Sequence, residues 1–199
     1  MFTLPNLLTC CRLLTAPVFI AFFLVDRPWA AIAALGVAIF FEITDMLDGY
    51  IARHYAQVSS IGKLIDPLAD SVARFSVFLA FVTELTVRGE PWPVLLVAVI
   101  FYRDATVACI RTFAAYTGTV LAARVSGKIK AVVQGTGILI FLAVRAASHF
   151  SGYFMQVRRD VFYWVLIPIA VVTAISGVDY VLSNRSAIVD ITEEDGTAD

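Results

Sequence analysis

Charge is scarce in this chain. Only 16% of its 199 residues are Asp, Glu, Lys or Arg, against about 25% in an ordinary soluble domain, which excludes a protein that turns most of its surface to water. A basic excess is absent as well: 15 Lys and Arg against 16 Asp and Glu leave a formal net charge of −1, with the cations scattered, which sets nucleic-acid binding aside. Cysteine is sparse. Cys10, Cys11 and Cys109 are odd in number, sit in apolar runs and lack metal-ligand spacing such as C-x-x-C, so they read as small membrane-buried hydrophobes. No internal repeat points to an inverted-repeat transporter, and no soluble domain is appended. What abounds is apolar: 60% of the residues are hydrophobic and mean hydropathy is +0.84. The reading is an all-α, polytopic integral membrane protein.

A spanning helix needs about 20 mostly apolar residues. Runs of that kind, separated by Pro, Gly or charge, extend from about Leu8 to Val25, from Trp29 to about Met46 with a helical extension towards His54, and from near Gly62 to Thr86. After the Arg88-Gly89-Glu90-Pro91 breaker come Trp92 to Ala115, Ile129 to Phe150 and Val161 to Leu182. Six transmembrane helices put both termini on one side. Arg12, Arg53, Lys63, Arg124, Lys128, Lys130 and Arg185 fall on that side, against Arg27, Arg88, Arg158 and Arg159 opposite, so the termini are expected in the cytoplasm. Arg12 interrupts the first apolar stretch and no basic start precedes it, unlike a cleavable signal peptide. Residues 1–182 form the membrane domain in this reading. Residues 183–199, with Glu193, Glu194 and Asp195, read as an acidic, disordered tail. Trp29, Trp92, Tyr153, Tyr163 and Trp164 fall near the outer boundaries, as an aromatic belt does.

An ionised group at membrane depth is costly unless paired or hydrated, so intramembrane carboxylates point to function. Four lie close together: Asp45 and Asp48 at the end of the second span, Asp66 and Asp70 at the start of the third. Spacings of three and four put each pair on one helix face, and two adjacent antiparallel helices present all four to one point. Such anions need compensating cations, and Arg53 and Lys63 are too few. Clustered carboxylates suit Mg²⁺ or Mn²⁺, and two ions are the economical solution, typical of phosphoryl chemistry. Gly49, Ala52 and Gly62 leave room for a substrate beside them. On spacing alone two other readings stand: satisfied polar residues, and a cation-transport site.

The segment DMLDGYIARHYAQVSSIGKLIDPLAD, Asp45 to Asp70, matches D-x-x-D-G-x-x-A-R-x(8)-G-x-x-x-D-x-x-x-D in full. It resembles the signature of the CDP-alcohol phosphotransferase (phosphatidyltransferase) family, and the resemblance, including the six-span layout, covers about residues 4 to 182. It implies that Asp45, Asp48, Asp66 and Asp70 ligate two metal ions and that Asp70 is also the general base. The base would deprotonate an acceptor hydroxyl, whose oxygen attacks the β-phosphorus of a CDP-linked lipid as CMP departs. Asp48, Gly49, Ala52, Arg53 and Gly62 would bind the CDP moiety, with Arg53 on the diphosphate.

The flanks bear on the acceptor. LPNLLTCCR, residues 4 to 12, resembles the amino-terminal motif of the bacterial phosphatidylglycerophosphate synthases in this family and of the related cardiolipin synthases. YRDATVACIR (102–111) and SGKIKAVVQ (126–134) resemble segments of the former. An acceptor that carries its own phosphate needs cations, and Arg103, Arg111 and Lys128 are the candidates. The resemblance thus implies CDP-diacylglycerol as donor, glycerol 3-phosphate as acceptor, a homodimer, and a bacterial inner membrane with the site facing the cytoplasm. Phosphatidylglycerol, inositol phosphate and serine remain as other acceptors. Arg103 paired with Asp104, with Lys128 and Lys130 as cytoplasmic-side anchors, remains the alternative for these cations. Ser71 departs from the family, in which Lys often follows the last Asp. Arg12 faces phosphates or snorkels; Glu42 supports the site or is a buried hydrogen-bonding residue; Arg74 neutralises Asp70 or contacts substrate. His54 reads as a solvated helix residue and His149 as interfacial. Gly135 and Gly137 permit close helix packing, between protomers or within one.

Overall fold

A computed structural model describes residues 4–55, 71–83, 92–116 and 124–185, with 4–10, 45–46, 48–55, 113 and 115–116 described by backbone alone. The described residues form six helices and no strand: α1 (Leu4–Leu24), α2 (Pro28–Tyr55), α3 (Ser71–Thr83), α4 (Pro93–Tyr116), α5 (Val125–Ala147) and α6 (Gly152–Ser183). With hydrocarbon on offer instead of water, the chain must satisfy its backbone polar groups internally, and helices do so. Within Pro93–Thr112, Val125–Ala147 and Gly152–Ser183 the helices are long and apolar enough to cross a membrane. The apolar stretches seen in the other three, Cys11–Leu24, Pro28–Thr44 and Ser71–Thr83, are shorter. Several hydroxyl groups are tied back within their own helices. Thr15 donates to the Cys11 carbonyl at 2.9 Å, Thr44 to Phe40 at 2.9 Å and Ser76 to Val72 at 2.8 Å.

The sixth helix differs most from expectation. It begins at Gly152 rather than near Val161, so Arg158, Arg159 and Asp160 are helical rather than in a loop. Ser151, extended at φ −144°, starts the helix after the short turn 148–151. A turn that short leaves no room for a loop around the charged triplet, which stays at the helix end where it reaches water.

Short turns join α1 to α2 and α5 to α6, and the contacts of Phe81 with Phe23, Phe141 and Phe162, of Trp92 with Tyr163, of Arg74 with Glu42 and of Lys130 with Asp104 put the starts of α1, α3 and α5 at one end of the bundle with the finishes of α2, α4 and α6. The two ends differ in chemistry. One is aromatic: Phe81 lies 4.6 Å from Phe141, 5.8 Å from Phe23 and 5.9 Å from Phe162, centroid to centroid. These rings join α1, α3, α5 and α6 by packing. Arg145, buried among them, donates to the Phe23 carbonyl at 2.7 Å and lies 4.1 Å from the Phe23 ring centroid. It thereby partners a carbonyl in the last turn of α1, where helical acceptors run out. Trp92 stacks on Tyr163 at 4.8 Å, and Trp29, Tyr153 and Trp164 are exposed at this end. The opposite end is polar, and it is the end to which α2 carries Asp45 and Asp48.

Gly137 serves contacts within the chain: a Cβ there would stand 2.7 Å from Ile169 Cδ1 and 3.0 Å from Val165 Cγ1, both on α6. Gly137→Leu is expected to destabilise the folded protein in detergent by about 1–3 kcal/mol through overpacking. The check is the thermal unfolding midpoint, and an unaltered midpoint would show that α5 and α6 part without loss.

Candidate active site

At the polar end α2 continues as one helix to Tyr55, which carries Asp45, Asp48, Gly49, Ala52 and Arg53 on its last turns. Asp45 and Asp48, three residues apart, stand about 60° apart around the helix and so share a face. The donors they offer are hard oxygens, the type a divalent cation such as Mg²⁺ takes. Gly62, Asp66 and Asp70 lie outside the described residues, as do residues 186–199 of the expected tail.

Beside this motif the structure assembles charges from every helix. Asp104 on α4 accepts from Lys130 Nζ on α5 at 2.6 Å and from Arg103 Nη1 at 2.9 Å, both at the same Oδ1. Arg103 also donates from Nη2 to Ser176 Oγ on α6 at 2.7 Å. Gly177 admits its stem, since a Cβ at that position would lie 2.7 Å from Arg103 Cγ. The pairing of Arg103 with Asp104, one of two roles open from the sequence, is therefore made, and Lys130 joins it. Arg111, two turns further along α4, is exposed with its guanidinium 5.5 Å from the Tyr180 ring centroid. Lys128 is exposed and makes no ion pair among the described residues. The three cations expected to meet an acceptor phosphate thus divide into one half-buried and committed, Arg103, and two at the surface.

A second network closes the α5–α6 side. Arg124 grips Asp179 with Nη2 to Oδ1 at 2.9 Å and Nε to Oδ2 at 3.3 Å, while Ser126 donates to Oδ2. The hydrogen bond to Asp179 and its charge raise the Arg124 guanidinium above its ordinary value. Deeper in, Gln134 donates to Thr173 at 3.0 Å, both fully buried, which ties the two helices together in the apolar interior. Sequence reasoning had passed over Asp179 and Ser176. A signal existed for the first, because Asp179 is the one acid between Val161 and Leu182. Ser176 carried none.

On α2, one turn before Asp45, Glu42 faces Arg74 of α3, with Oε1 to Nη1 at 3.7 Å. Arg12 of α1 is 1% exposed, so it does not snorkel to the surface. It lines a cavity of about 20 Å³ with Glu42 and Arg74, room for about one water molecule.

Against known proteins, the sequence model of the CDP-alcohol phosphatidyltransferase family matches residues 2–184. The chain belongs to this family. Among relatives, a CDP-diacylglycerol–glycerol-3-phosphate 3-phosphatidyltransferase of Cereibacter sphaeroides is 35% identical over 77% of this chain and 69% of its own length. The protein of that name from Bacillus subtilis is 32% identical over 94% of this chain and 98% of its own length. A CMP-forming cardiolipin synthase of Oryza sativa is 34% identical over 73% of this chain, a match that takes in 47% of the rice protein. Family membership makes the chain a phosphatidyltransferase, an enzyme of phospholipid synthesis. Its apolar helices suit such an enzyme, whose donor is a lipid.

Proposed function

We propose that this phosphatidyltransferase moves the phosphatidyl group of CDP-diacylglycerol to glycerol 3-phosphate, giving phosphatidylglycerophosphate and CMP. The observation that carries the acceptor is the division of the cations: Asp104 takes up Arg103 and Lys130, while Arg111 and Lys128 stay exposed beside them. A dianionic acceptor needs such groups and a neutral alcohol does not. Arg103, fixed between Asp104 and Ser176, is the half-buried member of the set. Relatives named for this reaction, matching nearly end to end in the Bacillus subtilis case, support the reading.

In this mechanism Asp70 takes the proton of the acceptor hydroxyl. The freed oxygen attacks the β-phosphorus, the bond to the bridging oxygen breaks, and CMP leaves with the electron pair. Arg53 holds the diphosphate, and Asp48, Gly49, Ala52 and Gly62 shape the cytidine pocket. Asp45, Asp48, Asp66 and Asp70 would hold two divalent ions, Mg²⁺ or Mn²⁺, which would supply positive charge to offset that of the diphosphate and of departing CMP. In the same reading all six helices span the membrane, with α1 at 21 residues and α2 at 28 long enough to do so. The polar end and both termini face the cytoplasm, in a bacterial inner membrane. The enzyme works as a homodimer whose interface excludes Gly135 and Gly137, since both are filled from within the chain.

The test is CMP release by purified protein with CDP-diacylglycerol and Mg²⁺, offering glycerol 3-phosphate or phosphatidylglycerol. Release with glycerol 3-phosphate alone is expected. Release with phosphatidylglycerol instead would favour the second reading, cardiolipin synthesis, to which the rice relative points. No release with either, from folded protein, overturns both. Within the first reading, Arg111→Ala and Lys128→Ala should each raise KM for glycerol 3-phosphate about tenfold, a lost charge-assisted hydrogen bond, and leave KM for CDP-diacylglycerol nearly unaltered. Equal rises in both constants would remove the phosphate-binding role.

A further inference from the structure

α5 carries Lys128 and Lys130 at the polar end, yet its own first turn is poorly secured. Its N-cap, Arg124, is extended at φ −99° and ψ 147° and makes no side-chain capping bond, and no acidic residue stands in the first turn to offset the positive end of the helix. Gly127 within that turn loosens it further. Lys128 sits in this stretch, exposed and without an ion pair among the described residues. Its place is therefore set by the backbone that carries it.

What the turn lacks locally comes from α6. Asp179 receives two N–H bonds from Arg124, at 2.9 Å and 3.3 Å, and the Ser126 hydroxyl as well, so both its oxygens are engaged by the residues on either side of Val125. A lone exposed ion pair holds little, but a bidentate pair joined by a hydroxyl is the exception. An anion supplied here also meets the positive end of the α5 dipole. One turn further on, Lys130 bonds to Asp104 of α4 at 2.6 Å. Ser126 and Lys130, four residues apart, thus share the face held by α4 and α6. Lys128, between them in sequence, lies about 200° round the helix from either. It shares instead the face of Gly135, seven residues on, where a Cβ would stand 2.5 Å from Glu42 of α2. Lys128 is thereby placed on the side of α2, the helix that carries Asp45 and Asp48.

We infer that Asp179 is a positioning residue for the acceptor: by gripping Arg124 and Ser126 it fixes the first turn of α5 and with it Lys128. The inference rests on the proposed role of Lys128 in meeting the acceptor's phosphate. Asp179 itself touches no substrate, and as an anion it would repel a phosphate rather than bind it.

That opposition of sign makes the inference testable in the full-length protein in detergent. Asp179→Asn keeps the side chain's size and removes its charge. By charge alone the change favours a dianionic acceptor and would lower its KM, whereas lost anchoring raises it. CMP release is expected to show KM for glycerol 3-phosphate raised about threefold to tenfold, no more than in Lys128→Ala, with kcat and KM for CDP-diacylglycerol nearly unaltered. On the Lys128→Ala background the same change should add nothing, because no lysine is left to misplace. A KM that falls or stays, an equal rise on both backgrounds, or a loss confined to the unfolding midpoint overturns the inference. Amide hydrogen exchange separates this from a failure of the functional reading. In Asp179→Asn the amides of Lys128 to Lys130, which bond back into the first turn, should lose protection. Protection retained overturns the anchoring with any acceptor. Wild-type protein that releases no CMP with glycerol 3-phosphate would sink the functional reading and the acceptor role with it, while lost protection in Asp179→Asn would still uphold the anchoring.

Discussion

Asp70→Asn is expected to reduce CMP release by about a thousandfold, within the range a positioned general base supplies, with CDP binding largely kept. An amide matches the carboxylate in size but cannot take a proton from the acceptor hydroxyl. The loss should therefore fall on kcat, while the affinity for CDP or a CDP-lipid, measured by calorimetry on the folded variant, stays near the wild-type value. Turnover retained in this variant would remove Asp70 as the base. A collapse of nucleotide binding together with turnover would show that Asp70 acts through its part in holding the metal ions rather than by moving the proton.

Asp104→Asn should have the largest effect on stability, lowering it by about 3–5 kcal/mol, as expected when a buried ion pair loses one partner. The reason is geometric. A single oxygen, Asp104 Oδ1, accepts from both Lys130 at 2.6 Å and Arg103 at 2.9 Å, and the cationic side chains are about 10% exposed. An amide there leaves two neighbouring cations without a counter-ion. Replacing all three members, Asp104→Leu with Lys130→Met and Arg103→Met, should recover most of the loss, since apolar side chains remove both uncompensated charges with their partner. Unfolding midpoints of the three proteins provide the check. An Asp104→Asn protein as stable as the wild type would mean that the network is solvated and contributes nothing.

Much of the architecture was legible in the sequence because a bilayer allows few alternatives. Apolar runs bounded by Pro, Gly and charge yielded the helices close to their observed limits: Trp92 to Ala115 was expected for α4, and Pro93–Tyr116 is found. The limits expected for the third span, near Gly62 and Thr86, lie outside the described residues, and the clearest departure is α6, whose start lies at Gly152 because three charges in its first turns mimic a loop to any reading by hydropathy. The motif was legible for a different reason. Carboxylates are so costly at membrane depth that four at helical spacing, with glycines beside them, point to a function, and the resemblance to the family's signature is what selects metal-assisted phosphoryl chemistry over a cation-transport site or satisfied polar residues.

The partners of the cations were not legible. Arg103 had two roles open to it, and nothing along the chain distinguishes a guanidinium reserved for substrate from one spent on a neighbour. Choosing between them requires knowing that Ser176, 73 positions away, stands 2.7 Å from it. Arg12 posed the same problem. Near a helix start it has the look of an interfacial anchor, yet in the bundle it is buried beside Glu42 and Arg74. Gly135 and Gly137 suited a dimer seam as well as an internal one, until Glu42 and Ile169 were found against them.

The order of residues alone thus settles what a one-dimensional rule can express: that the chain is helical and apolar, about where the described helices run, and that Asp45 to Asp70 matches the family's signature. Hydropathy and helical periodicity act locally, within a turn or along one span, so local sequence suffices for them. Tertiary structure alone decided which charges are spent inside the protein and which stay available. Ion pairing in a low-dielectric interior depends on distances between helices far apart in sequence, and a shift of a few ångströms separates a paired Arg103 from a free one.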